Sequence, residues 1–278
     1  MLIIVLSFTF FSNLFASQLF NGNGQPGVQA NVIESRYGYT KIEFVFGGYA
    51  SDEIKINGNT YLSLMASDMT WLMEKGKPQL LSFRKSLLIP DNTGMNYRII
   101  SQEIDEVNTL PIMPSKGHFT RDIDPNSIPY IFGDIYSKDE WYPSKLISLD
   151  EPYIVRDFRG QTVQFNPMQY NAVQKKLRVV KRIVIEVYSD NSLQVRNPLL
   201  RYYPMNKVSS EFAGIYRGIF MNYGVGEIRF DSIPEPGRML VIYASQYAST
   251  ITPFVQWKQG RGLTVLTADY PAQTGSGR

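Results

Sequence analysis

The sequence predicts a mainly β protein: an antiparallel β-sandwich-like region followed by the first βαβ unit of an α/β domain. Between Val32 and Val195 apolar and polar residues alternate with a period of two, the pattern of strands with one buried face. Turn-forming residues interrupt this alternation at short intervals, as they do between the strands of sandwiches and barrels. After Gly237 the pattern changes to a continuous apolar run, a helical stretch and a second apolar run, which is how a parallel sheet buried on both faces reads.

The first element is a leader. Leu2 to Phe11 is apolar, polar Ser12 and Asn13 follow, and small Ala16 offers a cleavage position. The run is too short for the roughly 20 residues of a membrane-spanning helix, so residues 1–17 are expected to be a secretory signal peptide, although no Lys or Arg precedes the apolar core. The alternative is a buried N-terminal strand. No other stretch is apolar enough to span a bilayer.

Strands follow. In Tyr39 to Phe46, Ile42, Phe44 and Phe46 share one face while Lys41 and Glu43 take the other. From Leu177 to Tyr188, Leu177, Val179, Ile183, Ile185 and Val187 point one way and Arg178, Arg182 and Glu186 the other. Lys181 breaks the apolar face, which suggests a place near a sheet edge. Further strands are expected at Thr60 to Met65, Tyr97 to Glu103, Tyr153 to Phe158 and Thr162 to Phe165. Turns are expected at Asn57-Gly58, Pro90 to Gly94, Arg159-Gly160 and Asp190 to Ser192. Leu110 to Pro152 is rich in Pro and aromatic residues and has no clear period; loops of that length are functional or packed over a core.

At Ser209 the period becomes helical, with Phe212, Ile215, Tyr216, Ile219 and Phe220 on one stripe behind a Ser209-Ser210 cap. Gly224-Val-Gly226 and Ile233-Pro-Glu-Pro-Gly237 then read as a bend and a stiff, exposed boundary segment. Met239 to Tyr243 and Leu263 to Thr267 are the two parallel strands. Between them Thr252 is expected to cap a helix with Pro253 at its first position, Phe254 and Trp257 on one face and Gly260 at its stop. The tail Ala272 to Arg278 ends this α/β pattern unfinished, and the chain looks cut short.

Composition excludes many chemistries. The 278 residues are 44% hydrophobic and 13% aromatic, enough for a core, and 28 basic against 25 acidic residues give +3 with no basic stripe, which argues against a nucleic-acid partner. There is no Cys and one His, His118, so thiol nucleophiles, disulfides and multi-histidine or cysteine metal sites are impossible in this chain. No cofactor and no metal site are expected. A Ser-His-Asp arrangement would have to use His118, which lies near Ser115. The pairs Asp122/Asp124, Asp139/Glu140 and Asp150/Glu151 match solvated turns better than calcium or glycosidase sites. The basic run Lys175, Lys176, Arg178, Lys181 and Arg182 reads as a solvated sheet face. Arg229, beside apolar Phe230 and before the Pro-rich boundary, stands where exposed interdomain chain is nicked.

Several blocks, in order, resemble the propeptide of gingipain-type cysteine peptidases, family C25. They are Pro114-Ser-Lys-Gly117, Ile128 to Gly133, Trp141-Tyr-Pro143, Glu151 to Gly160, Pro167 to Val187, Phe212, Ile215-Tyr-Arg217 and Phe220 to Tyr223. Gly237 to Ile242, Phe254 to Lys258 and Arg261-Gly262 look like the start of that family's catalytic domain. The resemblance implies a secreted zymogen: a β-sandwich prodomain over 18–229 that assists folding and blocks the active site, then a linker and the truncated start of a caspase-like peptidase domain over 230–278. The implied partner is the chain's own peptidase domain, in a monomer with no membrane attachment once the leader is removed, outside the cytoplasm. The family's catalytic His and Cys have no counterpart here, so no catalytic residue is carried over and the chain alone is inactive. The resemblance also makes Arg229 and Phe230 the candidate processing site, and Lys116 and Arg121 candidates for a loop that fills the peptidase's specificity pocket. Two other classes remain: a non-enzymatic secreted β-sandwich binding module, and a hydrolase built on His118.

Overall fold

The computed structural model describes residues 16–20, 26–203, 205, 207–233 and 237–273. The expected leader lies outside them except for Ala16 and Ser17, as do residues 234–236 of the expected boundary segment and 274–278 of the tail. The chain divides into two compact units: the residues up to Tyr202 with Arg217–Arg229, and Tyr203–Tyr216 with Phe230 onward.

In the first unit the strands are β1 (Ala16–Leu19), β2 (Gly27–Arg36), β3 (Tyr39–Ile56), β4 (Asn59–Met65), β5 (Thr70–Trp71), β6 (Leu81–Ile89), β7 (Gly94–Asn108), β8 (Ile147–Leu149), β9 (Tyr153–Val155), β10 (Phe158–Phe165), β11 (Met168–Asn171) and β12 (Lys176–Asp190). One antiparallel sheet centres on β3 and β12: β12 has β7 on one side and β3 and β11 on the other, and β3 also carries β1, β2 and β4. In the second, β10 pairs with β6, β8 and β9, and β6 with β5.

The sheets face one another through the alternation seen in the sequence. Ile42, Phe44 and Phe46 of β3 and Leu177, Val179, Ile183, Ile185 and Val187 of β12 are buried. Phe44 stacks on Phe165 of β10 at 5.2 Å and meets Phe83 of β6 edge-on at 6.0 Å. Each such side chain contributes about 1.5–3 kcal/mol by leaving water, so this central layer decides which faces meet.

Three expectations are corrected. Lys181 is not near an edge, because β12 is central. Pairing with β7 skips it, from Val180↔Ile104 to Arg182↔Glu103. The resulting bulge turns its ammonium outward to Glu103 at 2.9 Å and Asp105 at 3.1 Å. The strand expected at Tyr153 to Phe158 is two strands, β9 and β10, folded back at Arg156, whose φ is +46°. The turn expected at Arg159-Gly160 is strand instead: a Cβ on Gly160 would lie 2.5 Å from the Phe220 ring, so this glycine admits an aromatic neighbour.

Arg159, 1% exposed, donates Nε to the Asn197 carbonyl (3.0 Å), Nη1 to those of Pro90 and Thr93 (2.8 Å each) and Nη2 to that of Arg196 (2.5 Å). Its guanidinium thereby fastens the segment after β12 to the turn before β7.

The second unit contains β13 (Lys207–Ser209), α1 (Ser210–Ile219) as far as Tyr216, β14 (Asp231–Ile233), β15 (Arg238–Ala244), α2 (Ala248–Gly260) and β16 (Thr264–Tyr270). β15 and β16 are parallel and joined by α2, the expected βαβ unit. α2 begins four residues before Thr252, whose hydroxyl donates back to the Ala248 carbonyl at 2.8 Å, and Pro253 lies inside it. A 3-10 turn at Ser245–Tyr247 already winds the backbone ahead of the Thr-Pro signal. Of the expected stripe on α1, Tyr216 is buried but Ile215 is 49% exposed.

Candidate functional site

The irregular stretch after β7 projects a clamped loop. Residues 111–115 lie like an extra strand between β4 and the segment before β6: the Leu62 amide donates to the Pro111 carbonyl (2.8 Å), Met113 to Leu62 (3.0 Å), Gln79 to Met113 (2.9 Å) and Ser115 to Lys77 (2.8 Å). Ile112 and Ser115 are buried there. The chain leaves this ladder at Lys116 and returns at Gly133, and both ends are tied to one residue: the Gly76 amide donates to Ser115 and the Gly133 amide to Gly76, each at 2.9 Å. Gly76 has φ +78°, and a Cβ on Gly133 would lie 2.8 Å from the Gly76 carbonyl oxygen, so glycine is required on both sides of the contact. On the returning segment Phe132 packs on Tyr61 at 5.2 Å and Tyr136 at 5.0 Å.

Between these ends, residues 118–127 are all exposed. The tip is nevertheless ordered by local bonds. The Ile123 amide closes a turn onto the Thr120 carbonyl at 3.2 Å, with Arg121 in its second position. The Thr120 hydroxyl holds the Asp122 carboxyl below its ordinary range. Asp124 caps a 3-10 turn at Pro125–Ser127, its carboxylate accepting from the Asn126 amide at 2.9 Å. The two candidate basic residues differ: the Lys116 ammonium donates to the Pro125 carbonyl at 2.7 Å and lies 4.2 Å from the Tyr130 ring centre, whereas Arg121 is exposed and has no hydrogen bond or ion pair among the described residues. Lys116 braces the loop and Arg121 presents a charge from it.

The segment before Arg229 is bent, as the Gly224-Val-Gly226 sequence leads one to expect. Gly224 (φ +79°) and Gly226 (φ +59°) wind it into tight turns, with the Gly224 amide donating to Ile228 at 2.8 Å and Glu227 to Ser35 at 3.2 Å. Ile228 is 5% exposed, while the Arg229 side chain is exposed.

The other candidates have local roles. His118 is exposed, and Ser115 is buried with its hydroxyl accepting from the Gly117 amide at 3.1 Å; no hydrogen bond joins His118 to an acid among the described residues. Asp139 accepts from Asn171 (2.7 Å) and Gln174 (2.6 Å), which keep its carboxyl low. Glu151 pairs with Arg196. Among the described residues no group of three or more His, Asp or Glu is placed to hold a metal ion.

The basic run is an ion-pair ladder whose acids sequence reasoning missed. Lys176 and Arg178 meet Glu106 of β7 at 2.8 and 3.2 Å, and Arg182 meets Glu43 of β3 at 2.6 Å. Lys176 above all, then Arg178, pulls the Glu106 carboxyl down. The acids at Glu103, Asp105 and Glu106 were visible in the sequence, but not their position opposite β12.

Comparisons with known proteins agree with this architecture. A family model described as Propeptide_C25 matches residues 20–216. Gingipain R1 of Porphyromonas gingivalis is 35% identical over 258 residues, which are 91% of this chain and 25% of that protein. Gingipain R2 of the same organism is 31% identical over 93% of this chain and 35% of its own length. This chain thus spans about a quarter to a third of these relatives. Among solved structures, the complex of P. gingivalis RgpB pro- and mature domains matches with a TM-score of 0.63 and 28% identity, over 70% of this chain and 98% of that one. A structure of gingipain K concerned with zymogenic latency shares the fold, with a TM-score of 0.55 and 19% identity over 63% of this chain and 98% of that one.

Proposed function

This chain belongs to the C25 propeptide family, and from that premise we propose that its β-sandwich keeps a secreted cysteine endopeptidase latent and helps it fold. The single observation that carries the inhibitory reading is the loop clamped at Gly76 and Gly133 with Arg121 free at its tip. A guanidinium presented on a pre-ordered loop enters an acidic pocket with little loss of conformational freedom and forms charge-assisted hydrogen bonds there. Lys116 supports the loop from within. The partner is the peptidase domain of the same precursor, reached after export through the leader over residues 1–17.

Latency ends by proteolysis after Arg229, leaving Phe230 as the new N-terminus. The exposed Arg229 side chain supports recognition, and buried Ile228 with the turns at Gly224 and Gly226 means that the segment must first open. The domain reading is then leader 1–17, propeptide 18–229, and linker with the start of the peptidase domain from 230. With no cysteine, this chain contributes binding and release, not peptide-bond chemistry.

The test adds recombinant residues 18–229 to a mature gingipain-type peptidase and follows substrate turnover. Inhibition at micromolar concentration is expected. Unchanged turnover at that concentration would overturn the inhibitory reading.

A further inference from the structure

Among the described residues β7 pairs with β12 alone, and its residues 98–106 are all exposed. Three isoleucines lie on this run, Ile99 at 41%, Ile100 at 45% and Ile104 at 36% exposure. An edge of this kind presents unpaired backbone donors and acceptors to a further strand. Asn96 accepts from the Tyr97 amide at 2.9 Å, so the open edge begins at Arg98. The pairing with β12 fixes the faces. Ile99 and Gln102 lie opposite buried Ile185 and Ile183 on the core side, whereas Arg98, Ser101 and Glu103 lie opposite Glu186, Val184 and Arg182 on the other. The ladder passes over Ile100. Residues 98 and 103 are an odd number of positions apart and would fall on opposite faces of a regular strand; the bulge at Ile100 brings both to one.

We propose that two copies of this chain pair antiparallel through β7 about a two-fold axis between Ile100 and Ser101, in place of the monomer that the family resemblance implies. In this register Arg98 of each copy lies opposite Glu103 of the other, Ile99 opposite Gln102 and Tyr97 opposite Ile104, core-side residues meeting core-side residues. A two-fold interface uses the same patch on both copies, so the Arg98–Glu103 pair forms twice. Opposite charges across a ladder favour pairing and like charges oppose it. Sliding one copy by two residues puts Arg98 opposite Ser101 and forfeits both ion pairs; sliding it the other way puts Ser101 opposite Gln102, which lie on opposite faces. Charge and bulge together therefore select one register. Within each copy Arg98 keeps Glu186 at 2.5 Å and Glu103 keeps Lys181 at 2.9 Å, so the new pairs extend existing rows of alternating charge across the axis. A second copy fits this edge because the edge carries the cation and its complementary acid in its own sequence.

Sedimentation of the full chain is expected to show monomer passing to dimer across the micromolar range. Glu103→Arg sets arginine opposite arginine at both pairs and is expected to raise the dimer dissociation constant by about tenfold or more. Arg98→Glu sets glutamate opposite glutamate and is expected to do the same. Mixed in equal amounts, the two variants restore both opposite-charge pairs in a heterodimer, which is expected to form at the parental concentration although neither variant dimerises there alone. A chain that stays monomeric throughout, a dimer indifferent to Glu103→Arg, or a mixture no more associated than its components would each overturn the proposal; the second of these would place the dimer contact on another surface. Should Arg98→Glu, which faces Glu186, not fold, hydrogen exchange decides beside Glu103→Arg: the amides of residues 98–103 in the parent are expected to exchange several-fold more slowly at high than at low concentration, and in Glu103→Arg at equal rates. Parental exchange in this segment that does not depend on concentration would overturn the pairing.

Discussion

The amide of Gly133 donates to the carbonyl of Gly76 at 2.9 Å, and this contact closes the base of the excursion that leaves the ladder at Lys116 and returns at Gly133. Gly76→Ala forces a side chain into a left-handed backbone at φ +78°, a cost of about 1–2 kcal/mol. Gly133→Ala drives a Cβ against the Gly76 carbonyl oxygen, 2.8 Å away. Either variant is expected to loosen the loop more than the sandwich: proteolysis between His118 and Ser127 accelerates several-fold while the urea midpoint shifts little. A loop cleaved at the parental rate would show that the Gly76 clamp does not order it.

Lys116 and Arg121 are separable by their surroundings. Arg121→Ala is expected to weaken inhibition of a mature peptidase by about 10–100-fold, the scale of 1.4 kcal/mol per tenfold for lost charge-assisted bonds, without changing thermal stability. Lys116→Ala removes the bond to Pro125 and is expected to act through loop order, with a smaller loss of inhibition and faster loop proteolysis. The inhibition constants of both variants, measured with proteolysis rates, distinguish the roles; equal inhibition by Arg121→Ala and the parent would remove Arg121 from the site.

Arg159 supports the sandwich from inside. Arg159→Met keeps the length of the side chain and leaves the carbonyls of Pro90, Thr93, Arg196 and Asn197 without their donor. At about 1–3 kcal/mol for each buried group left unmade, with partial relief by water, a loss of about 3 kcal/mol or more is expected in urea unfolding. Arg159→Lys, whose ammonium lacks the planar fork, is expected to rescue little. A midpoint within error of the parent for Arg159→Met would show that the four bonds contribute nothing net.

The cluster around Glu186 sets a pH response. Its carboxylate accepts from the Tyr39 hydroxyl at 2.8 Å and from Arg98 Nε at 2.6 Å, and these bonds, Tyr39 first, hold its pKa below the ordinary 4.5. A depressed acid stabilises the fold above its unfolded pKa and loses that contribution as pH falls through the folded value. Tyr39 has the opposite sign: burial first, then Glu186, pushes it up to about 12, so its contribution is complete below pH 10 and lost as pH rises through 12. The melting temperature is expected to fall below about pH 4.5, with a shallower acid limb in Glu186→Gln. Superimposable acid limbs for parent and variant would exclude this cluster as a cause.

Strand alternation, the Asn57-Gly58 and Asp190–Ser192 turns, the change to helical period near Ser209 and the βαβ pattern after Gly237 were legible because each is a local property of neighbouring residues. So was the inability of a cysteine-free chain to form a thiolate. The two isolated bases at Lys116 and Arg121 were also visible, but nothing local told them apart. What separated them was the return of the chain from 125 to 133, which brings Pro125 and Tyr130 to one and leaves the other bare. Lys181 looked like an edge residue because alternation cannot register a bulge, which exists only against a partner strand. Arg159-Gly160 looked like a turn because its partners, Pro90, Thr93, Asn197 and Phe220, are about 40 to 70 positions away. Composition and periodicity determined the class of fold and the chemistry closed to this chain. Only tertiary structure decided which charges are paired and which glycines are indispensable, since these depend on long-range pairings whose energies no stretch of sequence contains alone.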